Sequence, residues 1–130
     1  MDLQTRISAS LQSSEGDVSR FFQTFAREDN TLSFVVPSAF VVTPLTSHAV
    51  GFCSLTSAKA VFLQTDKPVH VTVTFAPTAP TPPPTPATQT FLVDQILLLT
   101  SEVTAITVAN PNSGTSPDQD ANVSLIIVGT

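Results

Sequence analysis

The chain has 130 residues, with five Lys and Arg against ten Asp and Glu, for a net charge of −5. That balance leaves no basic patch to displace counterions from phosphate, so nucleic acid is not an expected partner. Charged residues make up only 12% and apolar ones 42%, with Ser, Thr and Pro prominent, a composition suited to a surface largely covered by partners.

The length is that of one ordinary domain, and residues 1–130 are expected to form a single one. Cys53 is the sole cysteine, which precludes an intrachain disulfide. It lies in the apolar run Val50-Gly-Phe-Cys-Ser-Leu55 and is expected to be a buried, inert thiol. No basic start followed by an apolar stretch suggests a secretory signal. No apolar run reaches the roughly 20 residues of a membrane-spanning helix, so no membrane is expected.

Period two dominates the chain from its start. Leu3, Ile7 and Leu11 among Gln4, Arg6, Ser8, Ser10 and Gln12 predict a half-buried strand. Val18, Phe21, Phe22 and Phe25 instead carry helical spacing, with Ser14 or Asp17 available as an N-cap. The competing reading is a strand that turns at Glu28-Asp-Asn30 and returns as Thr31–Val36, and the β-rich surroundings favour it. Two hairpins are predicted next. One joins Lys59–Thr65 to Val69–Phe75 through Asp66-Lys-Pro68, where Pro68 fixes φ and donates no ladder bond. Its second strand alternates Val69, Val71, Val73 and Phe75 with His70, Thr72 and Thr74. The other joins Val103–Ala109 to Ala121–Val128 through a polar loop at 110–120. Val123, Leu125 and Ile127 alternate with Ile126 and Val128, which predicts a closing strand covered on both faces. A short echo, Leu55-Thr-Ser57 and Leu99-Thr-Ser101, precedes each pair and is too brief to count as a repeat.

Between the two pairs lies Phe75-Ala-Pro-Thr-Ala-Pro-Thr-Pro-Pro-Pro-Thr-Pro-Ala-Thr-Gln-Thr-Phe91, with six of the eleven prolines. A boundary inside it would strand about 47 residues, too few strands to bury both faces of a sheet without disulfides or a metal. The stretch therefore reads as a loop over 77–90, favouring an extended polyproline path, with the next strand starting near Phe91. Loops this long are usually functional or disordered.

Catalytic signatures are missing: no G-x-S-x-G, Walker A, G-x-G-x-x-G or H-E-x-x-H occurs. His48 and His70 have no carboxylate or second ligand beside them in sequence, which leaves a two-histidine metal site only if the fold assembles it, and His70 reads as an outward strand residue. Asp118-Gln-Asp-Ala-Asn122 opens like a calcium loop but has Val123 where the glycine belongs and Gly129 where the bidentate Glu belongs, so a solvated turn is expected. The Asn122-Val-Ser124 glycosylation triplet reads as chance. The nine Phe residues, in a chain without Trp or Tyr, read as core material rather than as a sugar-binding platform.

Four stretches carry a family likeness: Ala60–Val73, Ile96–Thr100, Val103–Asn110 and Ala121–Val128. Together they resemble small all-β structural proteins of tailed-bacteriophage particles. The shared pattern, over roughly residues 55–130, is a hairpin closed by a polar turn with proline, a Val/Thr-alternating strand ending in Asn, and an apolar closing strand. The Thr/Pro loop is longer than the resemblance would lead one to expect. The resemblance implies a virion protein: a capsid decoration protein on the major capsid protein lattice or, alternatively, a minor head–tail or tail-associated protein, or a receptor- or glycan-binding sandwich on a fibre. It offers no catalytic residues to transfer.

The expectation is thus an all-β protein, a single β-sandwich or jelly-roll-like domain of about eight or nine strands. It is expected to act as a homo-oligomer bound to virion proteins, without enzymatic activity, cofactor or small-molecule substrate. The candidate contact residues are Pro77, Pro80, Pro82, Pro83, Pro84 and Pro86 of the loop, with Leu3 and Ile7 of the N-terminal segment. Extended segments of this kind bind by wrapping and by adding backbone hydrogen bonds.

Overall fold

The computed structural model describes residues 3–7, 25–29, 34–77 and 86–130, with side-chain detail from residue 37 onward. The chain divides into two compact units, 1–33 and 34–130.

In the first unit β1 (Leu3–Ile7) pairs antiparallel with β2 (Phe25–Asp29), placing Leu3 opposite Asp29 and Ile7 opposite Phe25. The alternation that predicts a strand at Leu3 and Ile7 holds; Leu11 and residues 17–24 lie outside the described residues. The expected turn at 28–30 is corrected, because Glu28 and Asp29 belong to β2 and their partner is β1. β3 (Phe34–Val42) instead pairs along all nine of its residues with β10 (Ala121–Gly129). A nine-residue ladder satisfies more backbone donors and acceptors than a short return hairpin could.

The second unit is all-β. Its other strands are β4 (Ser47–Ala49), β5 (Ala58–Thr65), β6 (Val69–Phe75), β7 (Ala87–Val93), β8 (Ile96–Leu99) and β9 (Val103–Ala109). With β3 and β10 they make eight antiparallel strands in one open sheet, ordered β3-β10-β5-β9-β6-β7, with β4 also on β9 and β8 also on β5. A single 3-10 turn, Pro117–Gln119, interrupts the β structure among the described residues.

Neither predicted hairpin forms. β5 lies between β10 on one side and β8 on the other, while β6 lies between β9 and β7. The Asp66-Lys-Pro68 turn is real, and Thr65 Oγ1 donates to the Lys67 carbonyl at 2.7 Å within it. It carries the chain across to different neighbours. β9 and β10 are likewise unpaired with each other, each having its edges taken by other strands. Turn residues specify a reversal; which strand takes the ladder is decided by burial over the whole sheet.

The true hairpin is β6–β7, paired from Val69↔Val93 to Phe75↔Ala87 around the proline stretch. β7 begins at Ala87, earlier than the expected Phe91. Ala87–Thr90 is exposed throughout, so it shows no apolar alternation, yet Thr72 and Thr90 meet across the strands with hydroxyls 2.9 Å apart.

Pro37 lies in β3 at the end of the strand order, where one edge needs no donor. The core is built mainly of valines and γ-branched or δ-methyl aliphatics: Val61 and Leu63 of β5, Val69, Val71 and Val73 of β6, Val103 and Val108 of β9, and Val123, Leu125 and Ile127 of β10. Of the nine phenylalanines expected as core material, burial is described for five, and none of these five is fully buried. Phe40, Phe52, Phe75 and Phe91 pack partly buried against the core, and Phe62 is exposed. Residues of alternating strands sit close together at the centre, where β-branched side chains fit the pleat better than rings.

Candidate interaction surfaces

The proline loop leaves the sheet from a fixed stem. Phe75 lies between Ala87 on β7 and Val103 on β9, and the Ala76 amide donates to the Glu102 carbonyl at 3.0 Å. Glu102 is itself held, its Oε1 accepting from the Ser57 hydroxyl at 2.8 Å. Pro77 and Pro86 are exposed at the two ends of the loop. Pro80, Pro82, Pro83 and Pro84 lie outside the described residues. Leu3 and Ile7 are in β1, and only their backbone pairing is described.

At the other end of β9 is a cluster that the sequence analysis did not single out. Asn110 is only 2% exposed. Its Nδ2 donates to the carbonyls of Val42 (2.9 Å) and Gln119 (2.8 Å), and its Oδ1 accepts from the Asn112 amide at 3.0 Å. Its backbone N–H donates to the Thr46 carbonyl, while its own carbonyl accepts from the Leu45 amide. The side chain therefore joins the end of β3 to the 110–120 loop, and the backbone of the same residue holds the β3–β4 turn. The available signal was a strand ending in Asn directly before Pro111. Nearby on the chain, Asp66 accepts from both the backbone and side-chain nitrogens of Asn122, at 2.7 and 2.6 Å. Those bonds, led by the side-chain one and helped by Lys67, hold the Asp66 carboxyl below the usual carboxylate range.

Among the described residues the possible chemical groups do not converge. His48 pairs with Val108 and His70 with Ala109, and adjacent residues of β9 face opposite ways. The two histidines thus lie on opposite faces of the sheet, and the fold does not bring them together. His48 stacks on Phe40 with ring centroids 4.1 Å apart, and His70 is exposed on its strand as expected. Cys53 is exposed, against the expectation of a buried thiol. It adopts a φ of 54° within a turn closed by the Leu55 amide on the Phe52 carbonyl, and Val50 and Leu55 take the core positions around it. In the calcium-like segment Asp118 accepts from the Ser116 hydroxyl at 2.6 Å, and Asn122 is engaged by Asp66. Among the described residues no group of His, Cys, Asp and Glu could hold a metal ion.

What remains is a sheet face. On β3, β10, β5 and β8 the register aligns Pro37, Ile126, Phe62 and Leu98 in one cross-strand row, and Ala39, Ser124, Gln64 and Ile96 in the next. Ile126 is 44% exposed and Phe62 and Leu98 are each 38% exposed, which corrects the expectation that β10 is covered on both faces. No residue of these two rows is charged. A shallow depression of about 440 Å³ opens among Pro37, Ala39, Phe62, Gln64, Ser124 and Ile126. Comparison with protein-family models, curated proteins and solved structures gives no match.

Proposed function

We propose that the eight strands fold as a jelly-roll sandwich and that the protein is a non-enzymatic virion component, a decoration protein seated on the major capsid protein lattice. The strand order carries this reading. It resolves into two runs of four, β3-β10-β5-β8 and β4-β9-β6-β7, which meet only at Ala58↔Val103. Within this unit the first strand, β3, pairs with the last, β10, and the chain alternates between runs except at the β6–β7 hairpin. That is the order of an eight-stranded jelly roll with two Greek keys, an architecture used in viral capsids and lectins. One face of each run contributes to the same buried cluster, as two packed sheets would.

Fold alone does not assign function. The virion reading draws further support from the surface: an uncharged apolar face and a long Pro/Thr loop on a braced stem both suit contact with other proteins rather than chemistry. In this reading the loop and the N-terminal segment lie on neighbouring capsid subunits, and binding spreads over a multimer. The test is mass spectrometry of density-banded particles from the native source. The chain is expected at a fixed ratio to the capsid protein, and particles lacking it refute the reading. A chain in which residues 78–85 are replaced by Asn-Gly should keep its circular dichroism spectrum, because the β6–β7 ladder needs only a tight reversal, and should lose particle binding.

A further inference from the structure

We propose that the outer face of β3, β10, β5 and β8 is a homodimer interface, and that its occupant is the same face of a second copy. Three observations converge on this. The first is charge. The chain carries −5 overall, yet the rows around Ile126 and Phe62 hold none of it. A charged partner would bury its charges there without a counterpart, whereas a second copy meets the face with an equally uncharged surface.

The second is area. Four strands about 4.8 Å apart and up to nine residues long, at about 3.4 Å each, span roughly 500 Å² before side-chain relief is counted. Over two copies that is about 1,000 Å², the lower end of what a specific interface buries, which suits a dimer that forms at micromolar concentration.

The third is shape. Phe62 and Gln64 of β5 form one wall of the depression, Pro37, Ala39, Ser124 and Ile126 of the β3–β10 half form the rest, and Leu98 stands beside Phe62 on β8. A twofold axis lying between two facing copies, parallel to the strands and between β10 and β5, places each half against the other. Each Phe62 then reaches the partner's depression, and the contact is made twice, as an isologous interface requires. Two such sheets would pack about 10 Å apart with their strands nearly aligned.

The inference stands apart from the virion reading, since it needs only this face. Its test is sedimentation velocity of the full chain at tens of micromolar, where a dimer is expected. Ile126→Lys and Phe62→Lys each place a charge on the outward side and should raise the dissociation constant at least 100-fold while leaving circular dichroism unchanged. A Cys53→Ser, Ser124→Cys chain needs no disruptive side chain and should give a covalent dimer with a short bis-maleimide. A monomeric wild type overturns the proposal, as does a dimer that survives both lysines or the absence of covalent dimer from Ser124→Cys. A monomer whose Ile126→Lys variant no longer bands with particles would assign the face to the capsid lattice, overturning the dimer while sustaining the virion reading.

Discussion

Replacing Asn110 with leucine, which has nearly the same size, should destabilise the second unit more than any surface substitution. The side chain is 2% exposed and makes three hydrogen bonds, at 2.8, 2.9 and 3.0 Å. Leucine removes all three and leaves the Val42 and Gln119 carbonyls and the Asn112 amide with one partner fewer. At about 1 kcal/mol for each bond, with an added penalty wherever a group stays buried without water, the cost is about 2–4 kcal/mol. The backbone bonds of Asn110 to Thr46 and Leu45 survive the change, which keeps the figure from rising further. For a unit of this size the melting temperature should fall by roughly 10–20 °C.

Because the chain has neither Trp nor Tyr, unfolding is best followed by far-ultraviolet circular dichroism or calorimetry rather than by emission. Asn110→Asp sharpens the test. A carboxylate there would face two carbonyls it cannot accept from, and burial also disfavours its charge, so its folded pKa must rise above the unfolded value. A raised pKa makes the folded state bind the proton more tightly, so the variant should regain stability as pH falls through that folded pKa. Its deficit against the wild type should therefore be largest near pH 7 and narrow toward pH 4. An Asn110→Leu chain within about 0.5 kcal/mol of wild type, the range of ordinary surface changes, would refute the clamp.

Other substitutions test separate parts of the structure. Gly129→Ala should destabilise strongly or shift the end of β10, because the new Cβ would stand 2.0 Å from the Ser57 carbonyl oxygen, a backbone atom that cannot swing aside; urea titration reads the loss. Leu45 holds a φ of 58° with its side chain largely exposed, so Leu45→Gly should be neutral or stabilising by up to about 1 kcal/mol in thermal melts. Asp66 has a depressed pKa, so its contribution is complete above the unfolded carboxylate value and is lost as pH falls below about 4 toward the folded one. Asn122→Ala should flatten that limb of the stability–pH curve, and an unchanged limb would remove Asp66 from the account.

The β character of the second unit was legible because alternation is local: Val69, Val71 and Val73 are buried, and each has an outward or half-exposed neighbour. The loop around the proline stretch was legible too, since clustered prolines cannot donate ladder bonds. Strand partners were not. Asp66-Lys-Pro68 looks the same whether it closes a hairpin or a crossover, and only competition for the edges of β5 decides. Ile126 misled for a related reason. An apolar residue facing out from a strand signals a cover, but the sequence does not say whether that cover belongs to its own chain. Asn110 was missed because its partner Val42, 68 residues away, is brought to it only by a strand order that the hairpin reading did not contain.

The two ends of β9 explain why the proline loop can be long without harming the fold. β9 spans seven residues, about 20 Å, and at its Ala109 end the chain is tied by Asn110 to the β3–β4 turn and to the 110–120 loop. Crossovers must be closed there for β10 to reach its place between β3 and β5. At the Val103 end, the stem at Ala76 and Glu102 closes β6 onto β9 before the prolines begin. Residues beyond that bond add loop-closure entropy that grows only slowly with length, by about 0.6 kcal/mol per doubling. The fold is therefore fastened at one end of β9 and tolerant at the other, and the tolerant end is the one that carries the six prolines.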